Sequence, residues 1–206
     1  MASPDDPREA PAPSGEVTRW LERMAADEPG AVDAVFELVY GELRRIASGQ
    51  RRRRATPELD TTALIHEAYL RFANADGKPP GHREHFYAVA ARAMRQILLD
   101  EAKHRLRHKR GGQARRTDLD PDALEVDAQA ELMVALDRGL EKLGRIQVRA
   151  RQVVECRYFG GMSERETAAA LGVDVRTIRR DWAKARVWLA DELGDGGFGA
   201  SSPART

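Results

Sequence analysis

The chain has 206 residues, 42% of them hydrophobic and 6% aromatic, with one cysteine and a formal net charge of +1. That length allows one moderate core or two small ones, and the lone Cys156 excludes an internal disulfide and suits a reducing cytoplasm. No apolar run approaches the ~20 residues that a membrane-crossing helix needs, and the opening MASPDDPREAPAPSGE has neither the basic start nor the apolar stretch of a secretory signal.

Residues 1–15 are rich in Pro and Ala and are expected to be disordered. After them a helical period dominates. Val17, Trp20, Leu21 and Met24 fall at i, i+3, i+4 and i+7, predicting a first helix that Pro29-Gly30 ends. A second helix is predicted from about Ala31 to Gly49, with Val35, Leu38, Val39 and Ile46 inward. Asp60 or Thr61 can cap a third, in which Ile65, Ala68, Tyr69 and Phe72 share a face and Leu64 lies off it. Beyond the loop ADGKPPGHRE, a long fourth helix starts near His85, with Phe86, Val89, Ala90, Ala93 and Ile97 as its stripe. At ~100° per residue, Arg92, Arg95 and Lys103 point away from that stripe. Phe86 is expected in the core. The segment GGQARRTDLDPDALEVDA then breaks the period with Gly, Pro and acids, and helices resume near Gln129 and run to about Leu193. The fold expected is all-α: a helical domain over 16–112, a flexible acidic linker over 113–130, a smaller helical domain over 131–194 and a disordered tail over 195–206.

The small net charge conceals segregation. Residues 1–43 carry −7, residues 44–54 carry +6, residues 92–116 carry +7 and residues 117–141 carry −7. Blocks of alternating sign suggest separate surfaces for separate partners, against the plainer alternative of solvated helix faces. Of the 34 bases 29 are Arg, whose planar fork suits phosphates and guanine edges. The adjacent +7 and −7 blocks also raise the expectation that acids such as Asp118, Asp120 and Asp122 rest against the basic helices when no partner is bound.

The sharpest local signal is GGMSERETAAALGVDVRTIRRDWAKARVWL. Ser163 and Glu166 form an S-x-x-E capping box, Gly172 supplies a left-handed turn position and Asp174 can cap a second helix. Ala168, Gly172 and Ile178 then stand at helix-turn-helix spacing: a small residue at the crossing, a turn, and a core plug. On the second helix Val175, Ile178, Trp182, Ala185 and Leu189 cluster on one side. Arg176 and Arg180 point the opposite way, flanked by Arg179 and Lys184. The apolar side fixes the helix to its domain and the basic side is free for the DNA major groove.

Three segments, TALIHEAYLRF, HFYAVAARAMRQILLDEAKHRLRHKRGG and RQVVECRYFGGMSERETAAALGVDVRTIRRDWAKAR, together resemble bacterial RNA polymerase sigma factors of the extracytoplasmic-function (ECF) type, over about Val17 to Leu193. The resemblance implies that the third helix docks on the β′ clamp helices of core RNA polymerase, with Leu64, His66, Glu67 and Arg71 as candidates for that contact. It implies that the loop Asp76–Glu84 and the fourth helix read the −10 element, with Arg83, Arg92, Arg95, Gln96 and Lys103 as candidates. It also implies that the helix-turn-helix reads the −35 element through Arg165, Arg176, Thr177, Arg179, Arg180 and Lys184. Two departures stand out: Ala63 and His66 replace an acid and a glutamine of the family's clamp-binding motif, and the fourth helix opens HFYAVA without the family's Trp. Neither Phe86 nor Tyr87 is therefore assigned to base stacking. The partners implied are core polymerase, promoter DNA and an optional anti-sigma factor, with no membrane, no cofactor and a cytoplasmic location. An 18-residue linker reaches at most ~60 Å at ~3.4 Å per residue, enough to span elements between one and two DNA turns of ~34 Å.

An enzyme is not expected. His66-Glu67 begins like a zinc-protease motif, but position 70 is Leu. His104 and His108, with His82 and His85 nearby in sequence, lack a third ligand and second shell, and Cys156 sits in an apolar helix as core. The alternative is a stand-alone helix-turn-helix regulator that never joins polymerase. It would need an effector pocket or phosphoacceptor domain over 16–110, and the sequence suggests neither.

Overall fold

Helix is the only regular structure among the residues that this computed structural model describes, 14–52, 59–75, 79–110 and 121–194. The expected disordered ends lie outside them, apart from Ser14 and Gly15, which open the first helix, as do residues 113–120 of the expected linker. The helices are α1 Ser14–Ala25, α2 Ala31–Leu38, α3 Tyr40–Arg52, α4 Thr61–Ala73, α5 Arg83–Arg110, α6 Pro121–Ile146, α7 Val148–Val154, α8 Glu164–Leu171 and α9 Val175–Leu193. The fold is all-α.

Caps set most of the boundaries. Asp60 accepts the Ala63 N–H at 2.7 Å and starts α4. The helix expected over 31–49 is divided at Val39, whose φ of −107° bends the chain. Backbone bonds continue through the bend, from Val39 N to Val35 O and from Leu43 N to Val39 O, so direction changes without orphaning donors. Residues 121–130, expected as linker, are instead the first half of α6. Pro121 occupies its first position, where a missing N–H costs nothing.

The first core gathers α1 to α5. Phe36 lies at its centre, meeting the rings of Tyr69, Phe72 and Phe86 edge-on at 5.3, 5.5 and 5.6 Å. The Tyr69 hydroxyl donates to Asp33 at 2.6 Å and so keeps a polar partner beside the apolar cluster. A second core holds Leu136, Leu140, Leu143, Val154, Phe159, Ala185 and Leu189, and a third small cluster, Val153, Ala168 and Ile178, sits inside the helix-turn-helix.

Two helices join these cores into one body. Ala130 and Met133 of α6 belong to the first core, while Leu136, Leu140 and Leu143 belong to the second. α5, about 42 Å long at ~1.5 Å per residue, is buried on several sides at Phe86, Ala90, Ala91, Met94, Leu98 and Ala102. It packs on α1, α3 and α4 and also on α6 and α8. Its open side carries Arg92, Asp100 and His104, which remain exposed.

The join is close where α7 passes into the π-helical turn Glu155–Phe159, closed by Gly160 N–H to Glu155 O at 3.0 Å. A Cβ on Gly160 would lie 2.5 Å from the Cys156 carbonyl oxygen and 3.4 Å from Ala91 Cβ across the join. Gly160→Ala is therefore expected to destabilise the protein by about 1–3 kcal/mol through overpacking, read as a fall in the chemical-denaturation midpoint.

Candidate nucleic-acid interface

The helix-turn-helix is built by local bonds that its sequence dictates. Ser163 Oγ accepts the Glu166 N–H at 3.2 Å while Glu166 accepts the Ser163 N–H at 2.7 Å, completing the capping box of α8. Gly172 ends α8 at φ 64°, ψ 35°, a left-handed conformation that glycine adopts without strain. Gly172 N–H reaches Ala169 O and Val173 N–H reaches Ala168 O, the paired bonds of a Schellman turn. Asp174 then caps α9, accepting the Thr177 N–H at 2.9 Å and the Thr177 hydroxyl at 2.8 Å.

Ile178, Ala185 and Leu189 face inward and are fully buried, while Arg176, Arg179, Arg180 and Lys184 are exposed, as is Arg165 on α8. Five of the six candidates expected for the −35 element are thus exposed, four of them on α9. Thr177 is half-buried and its hydroxyl is committed to the cap. Arg179 donates to Glu164 at 2.6 Å yet stays two-thirds exposed, so a competing phosphate has access to it. That hydrogen bond, opposed by partial burial and aided by one from Arg157, holds the Glu164 carboxyl below the usual range.

Sequence periodicity missed the buried acid of this unit. Asp181 is 1% exposed on the inner side of α9, where it accepts from Arg149 at 2.6 Å and from Gln147 at 3.3 Å. It ties the recognition helix to the start of α7. A single Asp between Arg180 and Trp182 carries no distinguishing signal in sequence.

The candidates on α5 divide. Arg92 is exposed, and Lys103 is partly exposed with its Nζ 3.6 Å from Asp137. Gln96 donates to Asp100 at 3.0 Å, and Arg83 lies over the Tyr87 ring at 5.8 Å. Of the expected loop Asp76–Glu84, residues 76–78 lie outside the described residues. Arg95, expected on the outer side of α5, is instead only 2% exposed. It donates to Asp137 of α6 at 2.5 Å, lies 3.4 Å from Glu155 and places its guanidinium carbon 5.5 Å from the Phe159 ring centre. The C-terminal half covers that side of the helix. Phe86 is buried in the first core, as expected, and so is Tyr87, whose hydroxyl burial pushes up to about 12.

On α4, His66, Glu67 and Arg71 are exposed on one edge, where His66 lies flat beside Tyr69 at 6.2 Å. Leu64, expected off the apolar face, is fully buried in the first core. α4 is enclosed by α2, α3 and α5, which cover a wider arc than one stripe fills. The exposed apolar residue of this edge is Leu70. Arg71 donates to Asp100 at 2.8 Å, and Asp100 also accepts from Gln96, so one carboxylate links the α4 edge to the open side of α5.

A family model described as "ECF sigma factor" matches residues 14–195, most of the chain. The chain belongs to the ECF sigma factor family. No curated protein matches it. As an ECF sigma factor it serves transcription initiation, and its family implies RNA polymerase and promoter DNA as partners. The family is one of transcription factors rather than enzymes. Among the described residues, no helix is long and apolar enough to cross a membrane and no group of three metal-ligating side chains forms. His104 and His108 approach each other instead, with Nε2 atoms 3.0 Å apart.

The α9 cap gives this sigma factor an acid-sensitive element. Hydrogen bonds from the Thr177 N–H and hydroxyl hold Asp174 below its ordinary value of 3.8. A carboxyl lowered on folding contributes fully above its unfolded value and loses that contribution as pH falls through the folded one. Asp174→Ala is expected to lower the thermal midpoint at neutral pH and to leave the midpoint less pH-dependent below about pH 4; calorimetry across pH checks both.

Proposed function

We propose that this protein binds core RNA polymerase and directs it to promoters through two DNA surfaces. The recognition helix α9 reads the −35 element in the major groove, and the open side of α5 with the preceding loop engages the −10 element and helps separate its strands. The exposed edge of α4, with His66, Glu67, Leu70 and Arg71, docks on the β′ clamp helices. In this working state residues 16–112 and 131–194 act as two domains.

The observation that carries this reading is α9 itself. Its inner side is pinned by Ile178, Ala185, Leu189 and the Asp181–Arg149 pair, so Arg176, Arg179, Arg180 and Lys184 stand on a rigid support. Guanidinium groups on a fixed helix can pair with guanine edges in two-point fashion, and loose ones cannot do so selectively. α5 suits a displaced strand for another reason: cations beside exposed polar groups track phosphate charge without demanding a base sequence.

Selection of promoters from a random pool by the reconstituted holoenzyme, followed by run-off transcription, tests the reading. Arg176→Ala and Arg180→Ala are each expected to cut transcription from a selected promoter by roughly tenfold or more, equivalent to about 1–3 kcal/mol per base contact. Their stability should stay within about 0.5 kcal/mol of the parent, because both side chains are exposed. His66→Ala with Glu67→Ala should instead weaken binding to core polymerase while leaving duplex −35 binding unchanged. Failure to confer promoter-specific initiation would refute the proposal.

A further inference from the structure

A chain of contacts runs from the inside of the helix-turn-helix to one of its exposed arginines. It starts at Arg157 in the π-helical turn, whose side chain is 10% exposed and whose guanidinium carbon lies 5.2 Å from the Trp182 ring centre. Arg157 Nη1 lies 3.0 Å from Glu164 Oε1, and Arg179 Nε donates to the other oxygen, Oε2, at 2.6 Å. Glu164 stands at the first position of α8, beside the capping box but outside it, since Ser163 and Glu166 close that box between themselves. Its carboxylate is therefore left to the two arginines. The bond from Arg179, opposed by partial burial and helped by Arg157, keeps Glu164 ionised at neutral pH.

From this geometry we infer that Glu164 is a positioning residue, which orients Arg179 to read one guanine of the −35 element. The inference rests on the proposed role of α9 in the major groove and names the base edge that this part of its surface recognises. A guanidinium has five N–H donors. Glu164 takes the inner one, at Nε. Among the described residues no hydrogen bond takes the two terminal amino groups, and the side chain that carries them is 68% exposed. Those two groups form the flat fork that matches the N7 and O6 acceptors of guanine. Arg179 also lies at the start of the second turn of α9, near the end that a recognition helix turns towards base edges.

Charge decides between a base and a phosphate. A phosphate also has access to Arg179, but the adjacent carboxylate offsets the positive charge on which phosphate binding draws. The guanine edge carries no net charge and is held by aligned donors, which the carboxylate leaves in place. Anchoring Nε also removes rotamer freedom before DNA arrives, so less entropy is lost on contact.

The test uses reconstituted holoenzyme and promoter duplexes that it selects, with each −35 base pair replaced in turn. Competition binding then reads the discrimination at every position. The parent should prefer guanine at one position by about tenfold or more, and Glu164→Ala should reduce that preference to about threefold or less while other positions keep theirs. Arg179→Ala should remove the preference at the same position. Adding Glu164→Ala to Arg179→Ala should then change nothing further, as expected of a residue that acts through another. Glu164→Gln, which keeps an acceptor oxygen for Nε, should fall between the parent and Glu164→Ala. Discrimination retained at the other positions reports an intact recognition helix. The inference is overturned if both Glu164 variants weaken all sequences alike, or if their effect survives in the Arg179→Ala background. It is equally overturned if Arg179→Ala lowers affinity uniformly and makes the salt dependence shallower, the behaviour of a phosphate contact. If the parent holoenzyme initiates specifically while Arg179 is indifferent to base identity, the guanine reading alone is wrong; if the parent selects no promoter, the function itself is wrong.

Discussion

A guanidinium with 2% of its surface exposed, held between Asp137 and Glu155, is the contact around which the two halves are arranged. Burying a charge in this way stabilises little by itself, because desolvation offsets most of the attraction. Its leverage emerges when a partner leaves. An uncompensated buried charge costs on the order of 3–5 kcal/mol, a large share of the stability of a small domain. The interface is consequently stable while both carboxylates are present and sensitive to any competitor for Arg95. An apolar residue at this position would have joined the halves with no such sensitivity.

The same logic explains how a chain with a net charge of +1 can serve as a DNA-binding protein. Its bases are not diluted by its acids; they are paired with them across α5 and α6 and stand exposed on the outer side of α9. Non-specific affinity for nucleic acid scales with the number of phosphates neutralised. A chain that pairs four of its cations on α5 with carboxylates therefore presents a smaller footprint than the sequence total suggests. Polymerase, by engaging the α4 edge, would have a direct route to that region through the Arg71–Asp100–Gln96 chain.

Legibility of the structure in the sequence followed the range of the interactions. The caps and turn of the helix-turn-helix are readable, because Ser163, Glu166, Gly172 and Asp174 act within four residues of themselves and their chemistry is specific, whereas the buried Asp181 is not. The stripes of α1 and α4 were readable from their period, and the family resemblance agrees with the match over 14–195. The rest depended on partners far away in the chain. Leu64 is buried because α2, α3 and α5 enclose α4 on several sides, which no single-helix pattern encodes. Arg95 is buried because acids 42 and 60 residues downstream reach it. The acids at 127 and 137 were visible as part of a negative block facing a positive one, although the expectation was placed on Asp118, Asp120 and Asp122, which lie outside the described residues. That Pro121 begins a helix was hidden by composition, since the same Pro and Asp residues that mark loops also open helices.

The central claim is that one closed body exists in the free protein and gives way to two on the promoter. Pulsed electron-paramagnetic-resonance distances between spin labels at Glu22→Cys on α1 and Asp191→Cys on α9, both exposed sites, measure it directly. Cys156, buried with its thiol pushed up to about 12, should not take the label. A single narrow distance in the free protein, replaced by a distinctly longer one in the polymerase–promoter complex, is the predicted result. A broad distribution in the free protein, or an unchanged distance in the complex, would contradict the account.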